Sequence, residues 1–199
     1  MKQLLITGFD PFGGEPVNPA WEAVRRLCDT VGDYILTKQQ IPTVFGSAAE
    51  AVLQTAESMP MPPDVILCIG QAGGRAAVTP EFTAINYRHA GIDDNAGNRP
   101  KESPVVPGAP AAYFATVPVQ RMTEAIAAAG IRAQTSYSAG TFVCNDVLYT
   151  LLHRYAGSDT RVGFIHVPFL PEQIKEPTTP SMPLEEIVCA LTAAIGALG

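Results

Sequence analysis

Asp64-Val65-Ile66-Leu67-Cys68-Ile69-Gly70 is an unbroken apolar run, entered through an aspartate and stopped by a glycine. A strand with one face in water alternates apolar and polar residues, whereas an unbroken run reads as a strand covered on both faces, as in a parallel sheet flanked by helices. Residues 2–7, ahead of Gly8, have the same look. Between these two runs, Asn18-Pro19-Ala20-Trp21-Glu22-Ala23-Val24-Arg25-Arg26-Leu27 opens with an N-cap and a proline at the first helical position. Trp21, Val24 and Leu27 then fall three apart along one helical face. A second strand at 34–41 and a second helix at 46–58 follow, and this alternation predicts an open α/β sheet with helices on both faces.

Further along, Thr83-Ala84-Ile85-Asn86-Tyr87 reads as a strand, and 89–110, with turn residues and four prolines, as a long surface excursion placed to serve as a lid. Residues 119–129 predict an Ala-rich helix, 131–137 a strand, 144–155 a helix and 161–167 a strand. Pro183 to Leu198 closes the chain as a helix. No repeat or linker divides the 199 residues, so one domain spanning 1–199 is expected.

A net charge of -6 argues against nucleic acid as a partner, since phosphate binding needs clustered Lys and Arg. The first apolar run is too short for a signal-peptide core, and no stretch approaches the roughly 20 apolar residues that cross a bilayer. The cysteines at 28, 68, 144 and 189 lack both CxxC spacing and the density of a secreted disulfide scaffold, which fits a reducing cytoplasm.

Ligands in open α/β sheets bind beyond the carboxyl ends of the strands. Three loops land there: Gly8-Phe9-Asp10-Pro11-Phe12-Gly13-Gly14, Gly70-Gln71-Ala72-Gly73-Gly74-Arg75 and His166-Val167-Pro168. Cys28, Cys68 and Cys189 each sit within an apolar pattern and read as small buried hydrophobes. Cys144 differs because it precedes the apolar stripe of its helix, where free N–H groups and the positive dipole end favour an anion. A helix N-terminus and a neighbouring imidazole lower a thiol pKa, so Cys144 reads as a nucleophile with His166 as its base. A histidine inside an apolar strand is also commonly a hydrogen-bonded core residue. If His166 is a base, a carboxylate should orient it, and Glu81 is the best-placed acid because it follows the Gly-rich loop at the sheet edge. His89 and His153 have ordinary explanations in solvent exposure and a helix C-terminus. Phe9 and Phe12, on a loop without core periodicity, suit a flat apolar ligand group. The Gly-rich loop has no phosphate-binding pattern. Asp10 and Asp93-Asp94 lack companions at metal-ligand spacing and read as solvated turns, so neither metal nor cofactor is expected.

Assembled, these stretches resemble the pyroglutamyl peptidase I family of cysteine peptidases. The resemblance runs from Leu4 to the final helix. It is carried by Thr7-Gly8-Phe9-Asp10-Pro11-Phe12-Gly13-Gly14, by Gly73-Gly74-Arg75 with Pro80-Glu81, by Ser138-Ala139-Gly140-Thr141-Phe142-Val143-Cys144-Asn145, and by His166-Val167-Pro168. The resemblance implies a single α/β/α sandwich with a mostly parallel, twisted sheet, commonly a homotetramer. It implies a triad of Glu81, Cys144 and His166 that removes an N-terminal pyroglutamyl residue from peptides through a thioester. It implies a ring pocket with Phe9 and Phe12 as walls and Asn18 and Gln71 near the lactam, Gln71 through its main chain. One departure stands out: where many members have arginine in an Asp-Ala-Arg-Ile-Pro-Asp-Asn pattern, this chain reads His89-Ala90-Gly91-Ile92-Asp93-Asp94-Asn95, with Arg88 or another group left to replace that arginine. The alternatives are an amidase acting on another small amide with the same triad, and a catalytically weakened homologue that binds a small molecule.

Overall fold

The apolar runs form the centre of a sheet in the computed structural model, which describes residues 1–199. The elements in chain order are β1 (Lys2–Phe9), α1 (Pro19–Val24), β2 (Thr30–Val31), β3 (Tyr34–Ile41), α2 (Ser47–Ser58), β4 (Val65–Gln71), β5 (Thr79–Pro80), β6 (Thr83–Ile85), β7 (Ala112–Phe114), α3 (Val119–Ala128), α4 (Val143–Arg154), β8 (Arg161–Val167) and α5 (Leu184–Gly196). Six strands build the main sheet in the order β2-β3-β1-β4-β8-β5. Its interior pairs, β3 with β1, β1 with β4 and β4 with β8, are all parallel, and the two short edge strands β2 and β5 run antiparallel.

Side-chain alternation divides the sheet between two cores. Leu4, Ile6, Val65, Leu67, Ile69, Ile165 and Val167 face α1, α3 and α5, while Leu5, Ile66, Cys68, Val162 and Phe164 face α2 and α4. Both sets are buried, which is why the strands carry no polar alternation and why the molecule has three layers. On β4 and β8 the same parity places Gly70 and His166, at the carboxyl ends, on the face covered by α4. No helix is long and apolar enough to cross a membrane.

Local chemistry fixes the elements that matter for the site. The Asn18 side chain caps α1 by accepting from the Ala20 N–H at 3.0 Å, with Pro19 at the first helical position. The helix approaches β1 so closely that a Cβ on Gly8 would stand 2.6 Å from the Trp21 Cα, so only glycine fits. On α4 the apolar residues Val147, Leu148, Leu151 and Leu152 are buried, leaving the first turn directed at the strand ends.

The structure revises several sequence expectations. Residues 131–137 are extended but form only isolated bridges, Val78 with Ala133 and Glu81 with Ser136, because Pro80 has no N–H to continue a ladder. The strand expected at 83–87 shortens to β6, which pairs with β7 in a separate two-stranded sheet. Cys28 and Cys189 are exposed. Cys28 lies past the end of α1, where Leu27 takes the inward position, and Cys189 shares the outer face of α5 with Glu185, Glu186 and Thr192.

The 89–110 excursion carries no helix or strand, as expected, but it is fastened at several points. Asp94 is buried rather than solvated, and its carboxylate accepts from the Phe45, Ala96 and Asn98 N–H groups and from the Asn98 amide. Those bonds hold its pKa below the ordinary carboxylate value against the opposing cost of burial. Asn95 donates to Asp10 Oδ1 and to the Pro11 carbonyl, tying the excursion to the loop that carries Phe12. The segment is therefore a packed wall beside the strand ends.

Candidate active site

Phe9, Phe12, Asn18, Gln71, Cys144 and His166 all line one cavity of about 130 Å³ at the carboxyl ends of β1, β4 and β8. Thr43, Ala139, Gly140, Thr141 and Phe142 complete it. Glu81 is not on the wall. It lies behind His166, fully buried, with Oε1 2.7 Å from the ring Nδ1.

Each side chain arrives for a local reason. His166 is delivered by β8, and the Phe164 ring packs tilted against it at 4.8 Å between centroids. Cys144 stands on the first turn of α4, whose leading N–H groups, its own among them, have no carbonyl one turn earlier to bond. Its sulfur reaches over Gly70, where an added Cβ would lie 3.0 Å from Sγ and 2.8 Å from the Phe164 ring. Gly70 is thus the notch that admits the thiol. Asn145 and Asp146, next along the helix, fasten the surroundings: Asn145 pairs with the Ile85 N–H and carbonyl and the Tyr87 carbonyl, and Asp146 with Arg88 and the Gly46 N–H. Thr141 and His89 bond reciprocally, joining the cavity rim to the 89–110 wall.

Burial is the largest influence on Glu81 and disfavours its charge, but the hydrogen bond and charge of His166, helped by the hydrogen bond from Arg75, prevail, and its pKa lies below the usual value. His166 is pushed below the ordinary imidazole value, first by burial and then by the Arg75 charge, against the pull of Glu81. Cys144 is pushed up to about 12, first by burial and then by the Glu81 charge. Both shifts favour a neutral thiol beside a neutral imidazole, so burial outweighs the lowering of the thiol pKa expected from the helix terminus and the imidazole. With Glu81 ionised, the ring proton sits on Nδ1 and the lone pair on Nε2.

The remaining sequence candidates divide by role. Phe9 is a buried core ring packed against Phe164, whereas Phe12 is half-buried and leans on Phe142 at 6.3 Å between centroids. Asn18 spends its oxygen on the α1 cap and an amide proton on the Asp10 carbonyl at 2.9 Å. The Gln71 side-chain oxygen accepts from Gln173 at 3.0 Å, so that oxygen is already engaged within the protein. Arg88 is engaged by Asp146 at 2.5 Å and lies over the Phe45 ring, away from the cavity. Gly91 is exposed, and its carbonyl accepts from the Arg99 guanidinium.

Sequence reasoning missed Arg75 and Gln173. Arg75 Nη1 lies 2.6 Å from Glu81 Oε1 and 2.5 Å from Thr79 Oγ1, and Nη2 lies 3.5 Å from the Ser138 carbonyl. Its place in the Gly-rich loop, six residues before Glu81, was the available signal.

A cysteine, a histidine and a buried carboxylate thus stand together at the strand ends of an α/β sheet, the types of group that a cysteine-dependent hydrolase uses. The sequence profile of the pyroglutamyl peptidase family matches residues 2–199. The pyrrolidone-carboxylate peptidase of Levilactobacillus brevis is 49% identical, with 98% of this chain and 97% of that protein covered. Among solved structures, pyroglutamyl peptidase I from Bacillus amyloliquefaciens superposes with a TM-score of 0.94 at 44% identity, covering 100% of this chain and 97% of that one. Pyrrolidone carboxyl peptidase from Thermococcus litoralis gives 0.93 at 33% identity, covering 100% and 93%. The chain belongs to the pyroglutamyl peptidase family of cysteine peptidases.

Proposed function

We propose that the protein hydrolyses the bond after an N-terminal pyroglutamyl residue, with Cys144 as nucleophile, His166 as general base and then acid, and Glu81 as the group that orients the imidazole. The observation that carries this reading is the single small cavity shared by Cys144, His166 and the phenyl rings of Phe9 and Phe12, with Glu81 bonded to the far side of His166. His166 Nε2 takes the thiol proton as sulfur attacks the pyroglutamyl carbonyl outside the ring. The tetrahedral adduct collapses to a thioester as its C–N bond breaks and the leaving amine takes that proton from His166. Water deprotonated by the same imidazole then cleaves the thioester, freeing pyroglutamate and the Cys144 thiol. The Cys144 N–H, at the start of α4, supports the developing oxyanion.

A pyroglutamyl ring is flat and uncharged, so it suits a small cavity with phenyl walls. An ordinary N-terminus would have to shed the hydration of its ammonium group there. A prolyl substrate, lacking the lactam carbonyl, leaves the polar groups that face it unpaired, which is a strong source of discrimination. Hydrolysis of pyroglutamyl anilide should therefore far exceed that of prolyl anilide. Equal rates on the two would overturn the assignment of substrate.

The two rings should respond differently to truncation. Phe12→Ala should raise KM for a pyroglutamyl anilide about tenfold through lost apolar contact, with little change in Tm. Phe9→Ala empties a core position and should cost about 3–5 kcal/mol of stability. An unchanged KM for the Phe12 variant would remove that ring from the binding wall.

The proton inventory also predicts a pH profile. His166 acts as a base only when neutral, and its pKa lies below the ordinary 6.5, so kcat/KM should rise through a midpoint below 6.5. With the thiol near 12, no second limb should follow in the neutral range. A midpoint at or above 6.5 would show that the imidazole is not held neutral by burial.

A further inference from the structure

We propose that Arg75 is a positioning residue for this site, holding the Glu81 carboxylate and the loop before Cys144 in one fixed arrangement. The inference rests on the cysteine-peptidase reading above and concerns a residue that lies outside the ring cavity. Gly74, at φ +85°, lets the loop after β4 reverse so that Arg75 meets Glu81 from the solvent side.

The decisive geometry is at one oxygen. Glu81 Oε1 accepts from both His166 Nδ1 at 2.7 Å and Arg75 Nη1 at 2.6 Å, while Oε2 is buried with no hydrogen-bond partner. Two donors on one oxygen fix the rotation of the carboxylate about its last bond. With only the imidazole bonded, either oxygen can serve and the ring is less firmly oriented. The same guanidinium bonds the Thr79 hydroxyl on β5 and reaches the Ser138 carbonyl, four residues ahead of Phe142 and the start of α4. Arg75 thus connects the strand edge that precedes the acid with the loop that leads to the nucleophile. A planar fork satisfies acceptors in different directions at once, which the single nitrogen of a lysine cannot do.

Charge acts in the same sense as geometry. The Arg75 cation lowers the pKa of both His166 and Cys144, keeping the base neutral and easing thiol deprotonation. Its guanidinium is about a third exposed, in an open cleft between residues 75–79 and 134–138, so it can be replaced with limited damage to the core.

Arg75→Ala and Arg75→Lys should be compared with the unmodified protein, following pyroglutamyl anilide turnover against pH and alkylation of Cys144 by iodoacetamide, resolved by mass spectrometry from Cys28 and Cys189. For Arg75→Ala, kcat should fall about ten- to a hundredfold with KM within about twofold, the loss expected for one hydrogen bond to a charged group. The acid limb should move to higher pH, and Cys144 alkylation at fixed pH should slow. Arg75→Lys should recover part of kcat and of the acid limb. Wild-type kcat and alkylation in Arg75→Ala would overturn the proposal, as would a rise in KM alone. If Arg75→Ala fails to fold, Arg75→Lys carries the test: a wild-type kcat and pH profile there would contradict the need for a fork. Alkylation requires no substrate, so a protein that leaves pyroglutamyl anilide intact but shows the Arg75 effect would sink the substrate reading and leave this one standing.

Discussion

Cys144→Ala should abolish hydrolysis of pyroglutamyl anilide, lowering kcat by a factor on the order of 10⁵ or more, while Tm changes by only a few degrees. The two halves of this expectation have separate physical sources. Without sulfur no thioester forms, and the remaining oxyanion donors and ring pocket can only assist direct attack by water. The fold is expected to survive because α4 is anchored by Val143, Val147, Leu148, Leu151 and Leu152, all buried, whereas the sulfur faces the cavity and the notch at Gly70. A variant that retains even a hundredth of the activity would remove Cys144 from the chemical step. A variant that fails to fold would mean that the sulfur is chiefly packing.

Glu81→Gln should lower kcat by about 10³–10⁴, the scale seen when the acid of a Ser-His-Asp triad is replaced by its amide. A glutamine cannot offer an anionic oxygen to two donors. If its carbonyl meets Arg75, its NH₂ turns towards the His166 ring and favours the wrong tautomer; if it is rotated, NH₂ meets the guanidinium. KM should change little, because Glu81 lies behind the cavity wall. Stability should drop by about 1–3 kcal/mol, from imperfect satisfaction of buried donors.

Acidity supplies a second readout of the same group. The Glu81 pKa in the folded chain lies below the ordinary 4.5, so its ionisation contributes stability that is fully present above 4.5 and lost as pH falls through the folded value. The amide variant should therefore lose less stability than the parent on acidification below 4.5. A kcat within tenfold of the parent would leave Glu81 a structural acid only.

The layers of the fold were legible because burial on both faces forces unbroken apolar strands, as in β1 and β4, and because Asn18-Pro19 marks a helix start by cap and proline chemistry. The edge was not. β5 is two residues long, too short for any periodicity, and whether 131–137 forms a ladder depends on Pro80, distant in sequence. Cys144 and His166 were legible from their positions at element ends, and parity along β8 then faces the histidine towards α4. The protonation states were not, because a helix terminus argues for a thiolate while the extent of burial, which raises the thiol to about 12, exists only in three dimensions. Asp94 and Arg75 share that limit: each is a charged loop residue in sequence, and only the folded chain shows one bonded by backbone N–H groups and the other by Glu81. Cys28 and Cys189 went the other way, since residues adjoining an apolar pattern need not lie on its inward face.

The central claim is that Cys144 carries the pyroglutamyl group during turnover. Rapid acid quenching of the enzyme mixed with excess pyroglutamyl anilide, followed by peptide mass spectrometry, tests it most directly. The account predicts a single pyroglutamyl thioester on the peptide bearing Cys144, formed within one turnover and absent from Cys144→Ala. An enzyme that turns over this substrate while Cys144 stays unmodified, or that carries the acyl group on another residue, would contradict it.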